Sequence, residues 1–424
     1  MLAVPLFSLL VAVGTLLTAA AHGLGFGGER TYLVLLQDTN EIRPTGGFIG
    51  NYGIVRLRDG RPLELKFGDV YDLDRPYFEG GASERPVGMV LRYFPEAGWS
   101  GLRDANLWPD FPTSARRAAA MAEIEGGADQ VDGVVAITNE FARRVMRAIG
   151  PVTVPGLDAP VTADNFEETI RYFQSGPGIA ELGPRFGAVY PEGRKVFVRL
   201  LISSVIGRAG HPTAWPGLAA AAFQGLRAKE VLLWSRDPAL EAATTDAGVA
   251  GEMLPTDGDY LWVVDSNVSS SKDNGFVDET IAYRVDVTGE RPTAELTLHY
   301  DYTRTGDRFL GFIQRDFYGD YIRVYAPSGA TLVAGEGADE QFESWTESGK
   351  TRFSALLKMI PGSQRTVRLR YALPPLSDGG YRLTLQKEPG QRLTGVTVDV
   401  VQRGGERRLY AGTLERDVTL TAGR

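Results

Sequence analysis

Three clusters of charged residues are placed where they could do chemistry together. The first follows the apolar run Tyr32–Leu36 and puts Asp38, Asn40, Glu41 and Arg43 into the polar loop Gln37–Thr45. The second, Asp69, Asp72 and Asp74, comes directly after the run Leu63–Phe67. The third, Gly193-Arg194-Lys195, opens the apolar stretch Val196–Ile206, which the charge of Arg199 interrupts. Carboxylates suit a hard divalent cation that keeps room for water and phosphate, so Asp38, Asp69 and Asp72 are the candidates to hold magnesium. Guanidinium forks suit phosphate oxygens, and Arg43 and Arg194 are the candidates for that task. Arg194 and Lys195 oppose the dipole of the helix they start; a bound anion would relieve that conflict, and a solvated first turn accounts for the pair equally well. Asp38 or Asp69 is the available general base. For Asp72, Asp74 and Arg103, the last in Leu102–Asp110, exposed ion pairs of small consequence are the competing account.

The elements that must position these residues follow from the pattern around them. Tyr32–Leu36, Phe48–Leu57 and Leu63–Phe67 read as strands, and Asp59-Gly60 joins the last two as an antiparallel hairpin. If the first strand lies beside either partner, the Asp38–Arg43 and Asp69–Asp74 loops open on one end of one sheet. Gly46-Gly47 reads as a backbone device for a sharp turn. Helices are expected over Asp110–Glu125, capped by Thr113 or Ser114, and over Asn139–Ile149, Thr162–Phe173, Val196–Ile206 and Gly217–Trp234, with a strand at Val131–Ile137. Arg75–Ser100 reads as a surface excursion. Strand alternating with helix predicts an α/β layer. From about Asp278 the chain turns to period-two runs, among them Thr280–Val287, Ala294–Tyr302, Thr366–Tyr371 and Gly395–Val401, which suit an antiparallel β-sandwich resembling an immunoglobulin-like module. Within Ile360–Pro374, Val367, Leu369 and Tyr371 should face inward and Arg368 and Arg370 outward.

Composition narrows the function classes. The chain has 424 residues and a formal net charge of -8, which argues against nucleic acid as a partner. With no cysteine, it has neither disulfides nor thiolate chemistry, and its three histidines, His22, His211 and His299, are too scattered for a multi-histidine metal site. Leu2–Ala21 carries no charge and is about long enough to cross a bilayer. It predicts a single-pass anchor with the rest of the chain on the extracytoplasmic face, the alternative being secretion after cleavage at Ala19-Ala20-Ala21. The expected organisation is an anchor or signal segment over 1–28, an α/β domain over 29–275 and a β-sandwich over 276–424.

Several of these stretches carry a family resemblance. NEIRPTGG at Asn40–Gly47 with Phe48-Ile49-Gly50, GDVYDLD at Gly68–Asp74, DGVVAI…GPVTVPG within Asp132–Gly156, and DSNVSSSKDN at Asp265–Asn274 resemble, in that order, the bacterial domain-of-unknown-function family number four-zero-one-two. That resemblance implies an N-terminal membrane anchor and no settled activity. The order of elements is more distantly similar to the LytR-CpsA-Psr family, membrane-anchored α/β enzymes that transfer glycopolymers from polyprenyl-pyrophosphate carriers to envelope acceptors such as peptidoglycan. What this second resemblance implies is a pyrophosphate and a divalent cation, with magnesium the expected ion, held by Asp38 and Arg43, by Asp69, and by Arg194, Lys195 and Arg199. It implies membrane lipid, a lipid-linked glycan and an envelope polymer as partners. The chain departs from that pattern at Gly46-Gly47, where Ser-Asp is expected, and at Gly68, which replaces an arginine. A glycopolymer transferase and a non-catalytic envelope binding or assembly protein are therefore both expected from the sequence.

Overall fold

The computed structural model describes residues 21–81, 88–94, 100–188, 192–303, 317–375 and 380–423. The expected anchor, Leu2–Ala21, lies outside them except for its last residue. Among the described residues no helix is long and apolar enough to cross a membrane.

The first part of the chain is a five-stranded sheet with helices on both faces. Its order is β3-β2-β1-β4-β5, from β1 (Arg30–Asp38), β2 (Phe48–Arg58), β3 (Arg61–Asp69), β4 (Gly133–Thr138) and β5 (Val231–Ser235). Only β1 and β4 run parallel; the other neighbours are antiparallel. The hairpin turns at Asp59 and Gly60, both with positive φ (51° and 72°), as an Asp-Gly turn requires. The described helices are α1 (Tyr71–Glu79), α2 (Gly88–Tyr93), α3 (Phe111–Ile124), α4 (Asn139–Ile149), α5 (Phe166–Ser175), α6 (Leu182–Phe186), α7 (Glu192–Ala209), α8 (Trp215–Arg227) and α9 (Pro238–Asp246). One sheet face, including Leu33, Leu35, Ile54, Val134 and Leu232, packs on the small residues Ala115, Ala118, Ala119 and Ala122 of α3. The helices α4, α5 and α7 form a second core of their own around Met146, Phe173 and Phe197. Each large apolar side chain buried in this way contributes about 1.5–3 kcal/mol relative to exposure.

The remaining strands form two six-stranded sheets over one shared core. The first has the order β10-β13-β8-β7-β15-β16 and the second β11-β12-β9-β6-β14-β17. Their ranges are β6 (Asp259–Val264), β7 (Asp278–Asp286), β8 (Thr293–Asp301), β9 (Tyr318–Ala326), β10 (Thr331–Glu336), β11 (Glu343–Glu347), β12 (Lys350–Met359), β13 (Gln364–Ala372), β14 (Tyr381–Gln386), β15 (Leu393–Gln402), β16 (Gly405–Gly412) and β17 (Val418–Ala422). In β13, Val367, Leu369 and Tyr371 are buried and Arg368 is exposed, as alternation predicts. β6 and β9 are buried at every position because Met89, Val90, Leu107 and Lys229 of the α/β part cover the outer face of their sheet. That double burial explains why DYLWVV shows no alternation.

Several expectations are corrected. β6 pairs with β9 and β14, so the strand at 259–264 belongs to the sandwich and not to the α/β unit drawn as 29–275. Two pairs, β6 with β14 and β7 with β15, are parallel, a departure from an all-antiparallel sandwich. Within Gly217–Trp234 the helix stops at Arg227, and Lys229, with φ 57°, turns the chain into β5. The cap of α3 is Asp110, whose carboxylate accepts from the backbone N–H of Thr113, and neither Thr113 nor Ser114 caps it. Asp72 and Asp74 lie in the first turn of α1 and not in a loop, where a helix dipole favours carboxylates.

Candidate functional site

A cavity of about 320 Å³ lies between the second face of the five-stranded sheet and α4, α5 and α7. Its floor is a row of cross-strand neighbours, Ile137, Leu36, Asn51 and Asp69, brought into line by the register of four strands. The walls are apolar: Phe141, Val145 and Met146 from α4, Phe166 and Ile170 from α5, and Val198, Leu201, Ile202, Val205 and Ile206 from α7. This accounts for the apolar run at Val196–Ile206. One side of α7 packs into the helical core through Phe197, and further residues along it line the cavity.

The polar end of the same cavity holds Asp38, Asp69, Arg194, Lys195, Lys272, Gln37 and Asn139. Asp38 closes β1, and its Oδ1 accepts from the Asn40 backbone N–H (3.0 Å), Asn40 Nδ2 (3.0 Å) and Asn139 Nδ2 (2.9 Å). Its Oδ2 forms an ion pair with Lys272. Burial works to raise the Asp38 carboxyl, but the Lys272 ammonium and these hydrogen bonds outweigh it and hold it below the usual range. Burial lowers the Lys272 ammonium, whereas Asp38 and Glu41 raise it, and the net direction is upward. Asp69 closes β3, accepts from the Tyr71 N–H (3.0 Å) and pairs with Arg194 Nη2 at 2.8 Å. Lys195 pairs with Asp72 at 2.6 Å and with Glu192 at 3.2 Å. Gln37 Oε1 and Thr138 Oγ1 are buried without a hydrogen-bond partner among the described residues, and the Gln37 side chain packs against Gly46 and donates to Thr45. A buried polar atom left this way costs about 1–3 kcal/mol.

The expected site residues divide. Asp38, Asp69, Arg194 and Lys195 come together at the cavity mouth, with Asp72 just behind Lys195. Arg43 does not join them. It is 4% exposed, donates to the carbonyls of Ile42 (3.1 Å) and Asn267 (2.5 Å), pairs with Glu41 at 3.0 Å and lies against the Phe48 and Phe94 rings. Its planar fork ties the loop after β1 to the chain after β6. Arg103 lies behind the cavity, over the ring of Tyr71 and paired with Asp104 at 3.1 Å. Arg199 is exposed on α7 and does not line the cavity. The magnesium set is not assembled either. Among the described residues no three His, Asp or Glu side chains gather to hold a metal ion, and Asp38, Asp69 and Asp72 each face a cationic side chain instead.

Lys272 and Asn139, both on Asp38, are site residues that the pattern of loops did not single out. Lys272 sits inside DSNVSSSKDN, one of the stretches that carry the family resemblance. Residues 27–174 match the model of DUF4012, described as a protein of unknown function. That range contains Asp38, Asp69 and Asn139 but stops before Arg194, Lys195 and Lys272, so the DUF4012 match covers only part of the cavity mouth.

No curated protein matches the sequence. Among solved structures, the chain is similar to a LytR-Csp2A-Psr enzyme from Actinomyces oris at 14% identity and a TM-score of 0.30, over 53% of this chain and 76% of that one. It is similar to the Lin1025 protein from Listeria innocua at 9% identity and a TM-score of 0.26, over 55% and 85%. An M1 zinc metallopeptidase from Deinococcus radiodurans aligns at 12% identity and a TM-score of 0.17. That alignment covers 34% of this chain, which spans 41% of the peptidase.

Proposed function

We propose that this chain is an extracytoplasmic cell-envelope protein that holds a phosphate-bearing lipid, a polyprenyl pyrophosphate or its glycan-linked form, in the cavity between the sheet and α4, α5 and α7. The observation that carries this is one cavity with apolar walls and Arg194, Lys195 and Lys272 at one end. An apolar chain is stabilised by leaving water, and phosphate oxygens gain charge-assisted hydrogen bonds only at the end where the cations are. A free phosphate would have no use for the apolar walls, and a fatty or prenyl chain without a head group no use for the three cations.

Binding is favoured over transfer of the glycan. A carboxylate held below its usual range is a weak base for an acceptor hydroxyl, and Arg43 is turned away from the mouth onto backbone carbonyls. A transferase reading rests on Asp38 alone: a pyrophosphate that drew Lys272 toward itself would loosen the ion pair and return basicity to the carboxylate. The apolar Leu2–Ala21 supports anchoring at the membrane that supplies such a lipid.

The test is binding of geranylgeranyl pyrophosphate by the full chain, with geranylgeraniol and inorganic pyrophosphate as half-ligands. The intact lipid should bind more tightly than either half, and Ile202→Trp, which fills the cavity, should weaken it at least tenfold. Equal binding of inorganic pyrophosphate, or indifference to Ile202→Trp, would sink the proposal. Release of phosphate or transfer to an acceptor, abolished by Asp38→Asn, would promote the transferase reading.

A further inference from the structure

Four large apolar side chains stand out of the surface at one corner of the five-stranded sheet: Leu24 and Phe26 before β1, and Leu63 and Leu65 on β3, each between 45% and 53% exposed. The segment that carries the first two is fastened to the tip of the β2–β3 hairpin. The Gly60 N–H donates to the Leu24 carbonyl at 2.9 Å and the Asp59 N–H to the Gly25 carbonyl at 3.1 Å, while the Tyr32 hydroxyl donates to the Gly23 carbonyl at 2.6 Å. Gly25, with φ 79°, permits this approach, because a Cβ there would lie 2.7 Å from the Leu57 carbonyl oxygen. The Phe26 ring lies against Gly60, and Glu29 joins Arg56 at 2.6 Å and Arg58 at 3.1 Å.

Upstream, the corner is joined almost directly to the uncharged stretch Leu2–Ala21. Only His22 and Gly23 separate that stretch from Leu24, and the Ala21 carbonyl accepts from the N–H groups of Leu24 and Phe26, at 3.1 Å each. As a helix, a stretch of that length covers about 30 Å, the hydrocarbon thickness of a bilayer. With such a segment in the bilayer, two residues leave no slack, and the hairpin tip comes to rest at the surface of the same bilayer. A protein partner from solution would have to reach a corner pressed against lipid. Exposed apolar side chains are stabilised in that layer, and Arg61 and Lys66, exposed on β3, suit the phosphates beside it. Downstream, the corner runs into the cavity. Alternation puts Leu65, Phe67 and Asp69 on one face of β3, and Phe67 and Asp69 line the cavity. Leu63 is left unpaired where the β2–β3 register shifts between Arg56 and Leu57.

We propose that the corner formed by Leu24, Phe26, Leu63 and Leu65 is a membrane-docking surface, and that its occupant is the head-group layer of the bilayer that holds Leu2–Ala21. The proposal rests on Leu2–Ala21 as a membrane segment; it does not need the lipid-holding cavity. The α/β part is then mounted on the bilayer at two points, the segment and the hairpin, instead of swinging on a free linker. β3 rises from the surface, so that Asp69 stands at most about 20 Å above Leu63 along the strand. The apolar line on β3 joins the bilayer to the cavity floor.

The test uses the absence of cysteine. Phe26→Cys, Leu63→Cys and Leu65→Cys each create one site for an environment-sensitive fluorophore, and Val333→Cys and Ile360→Cys, at equally exposed apolar positions of the sandwich, serve as controls. The labelled full chain is reconstituted into phosphatidylcholine vesicles with and without spin-labelled lipid. The three corner sites should shift to shorter wavelength and lose roughly half of their emission or more to the spin label, and the two controls should lose little. Vesicle-bound chain whose corner sites are quenched no more than the controls overturns the docking surface and leaves the cavity reading standing. Chain that does not float with vesicles overturns both the surface and the anchor on which it rests. Corner sites that are already shielded without vesicles, and stay indifferent to spin-labelled lipid, are covered by the chain's own first residues or by a second copy, and the proposal falls. Quenched corner sites in a chain that fails to bind geranylgeranyl pyrophosphate support the surface and remove the lipid-holding reading.

Discussion

Arg43 and Arg194 make similar demands on a sequence reader and end in opposite circumstances. Each follows or opens a regular element, each is near carboxylates, and each suits a phosphate. Arg43 is enclosed, its guanidinium occupied by two backbone carbonyls and Glu41. Arg194 is about a quarter exposed, on the wall of a cavity, with its Asp69 partner beside it. The difference lies in what folds over each loop. The segment after β6 covers the first: the Asn267 N–H donates to the Ile42 carbonyl at 3.0 Å, and Asn274 Oδ1 accepts from the Ile42 N–H at 3.1 Å. Nothing in the local sequence of NEIRPTGG reveals a partner more than two hundred residues away.

The largest effect that could break this contrast is on folding. Arg43→Ala leaves the Glu41 carboxyl buried without its cation, and burial already pushes that group up. The variant should lose about 3–5 kcal/mol in denaturant unfolding, and adding Glu41→Gln should restore part of it. If Arg43→Ala unfolds like the parent chain but no longer binds geranylgeranyl pyrophosphate, Arg43 belongs to the site after all.

Arg194→Ala should do the reverse. Its pair with Asp69 is partly screened, so unfolding should shift by no more than about 1 kcal/mol. Lipid affinity should fall roughly tenfold to a hundredfold, the value of a charge-assisted hydrogen bond. A stability loss as large as that of Arg43→Ala would erase the distinction.

Lys272→Met sharpens it from the other side. The Asp38 carboxyl is lowered in the folded chain, so its contribution to stability is present above the unfolded value of 3.8 and is lost as pH falls through the folded value. The variant should be less stable than the parent at neutral pH, and the gap should close in acid below that range. A constant gap across an acid titration would mean that the ion pair is not what sets the difference.

The smallest effect concerns buried carboxyls that solve the same problem without a lysine. Burial pushes Asp74 up to about 6 and Glu125 up to about 9, and both carboxyls accept from the Leu102 N–H, at 2.9 and 3.1 Å. The folded chain thus holds protons that the unfolded chain gives up, so stability falls as pH rises from the unfolded range through these values. Glu125→Gln should make the decline in Tm between about pH 5 and about pH 9 shallower, without changing lipid affinity. An unchanged slope would mean that the two carboxyls do not share a proton.

Much of the fold was legible because local signals agree with it. Asp59-Gly60 makes its hairpin, β13 alternates as written, and α4 stops at Gly150 with φ 78°. Misreadings fell where tertiary burial overrides local pattern. β5 reads as helix because Val231–Ser235 is short and apolar, and β6 escapes the period-two pattern of the sandwich because both its faces are covered. The site shows the same division. Asp38, Asp69, Arg194 and Lys195 were visible as charges at element ends, whereas Lys272 and Asn139 depend on pairings of chain segments that no local spacing encodes.

Lys272 reaches the cavity mouth on the stretch that follows β6, a strand of the sandwich. A gene fragment ending before Asp259 would encode all nine described helices and the whole first sheet. The product would still lack one of the three cationic groups at the mouth of the apolar cavity and the carbonyl on which Arg43 is moored. Trimming to a minimal soluble piece, a routine first step toward crystals, would remove part of the very property being sought.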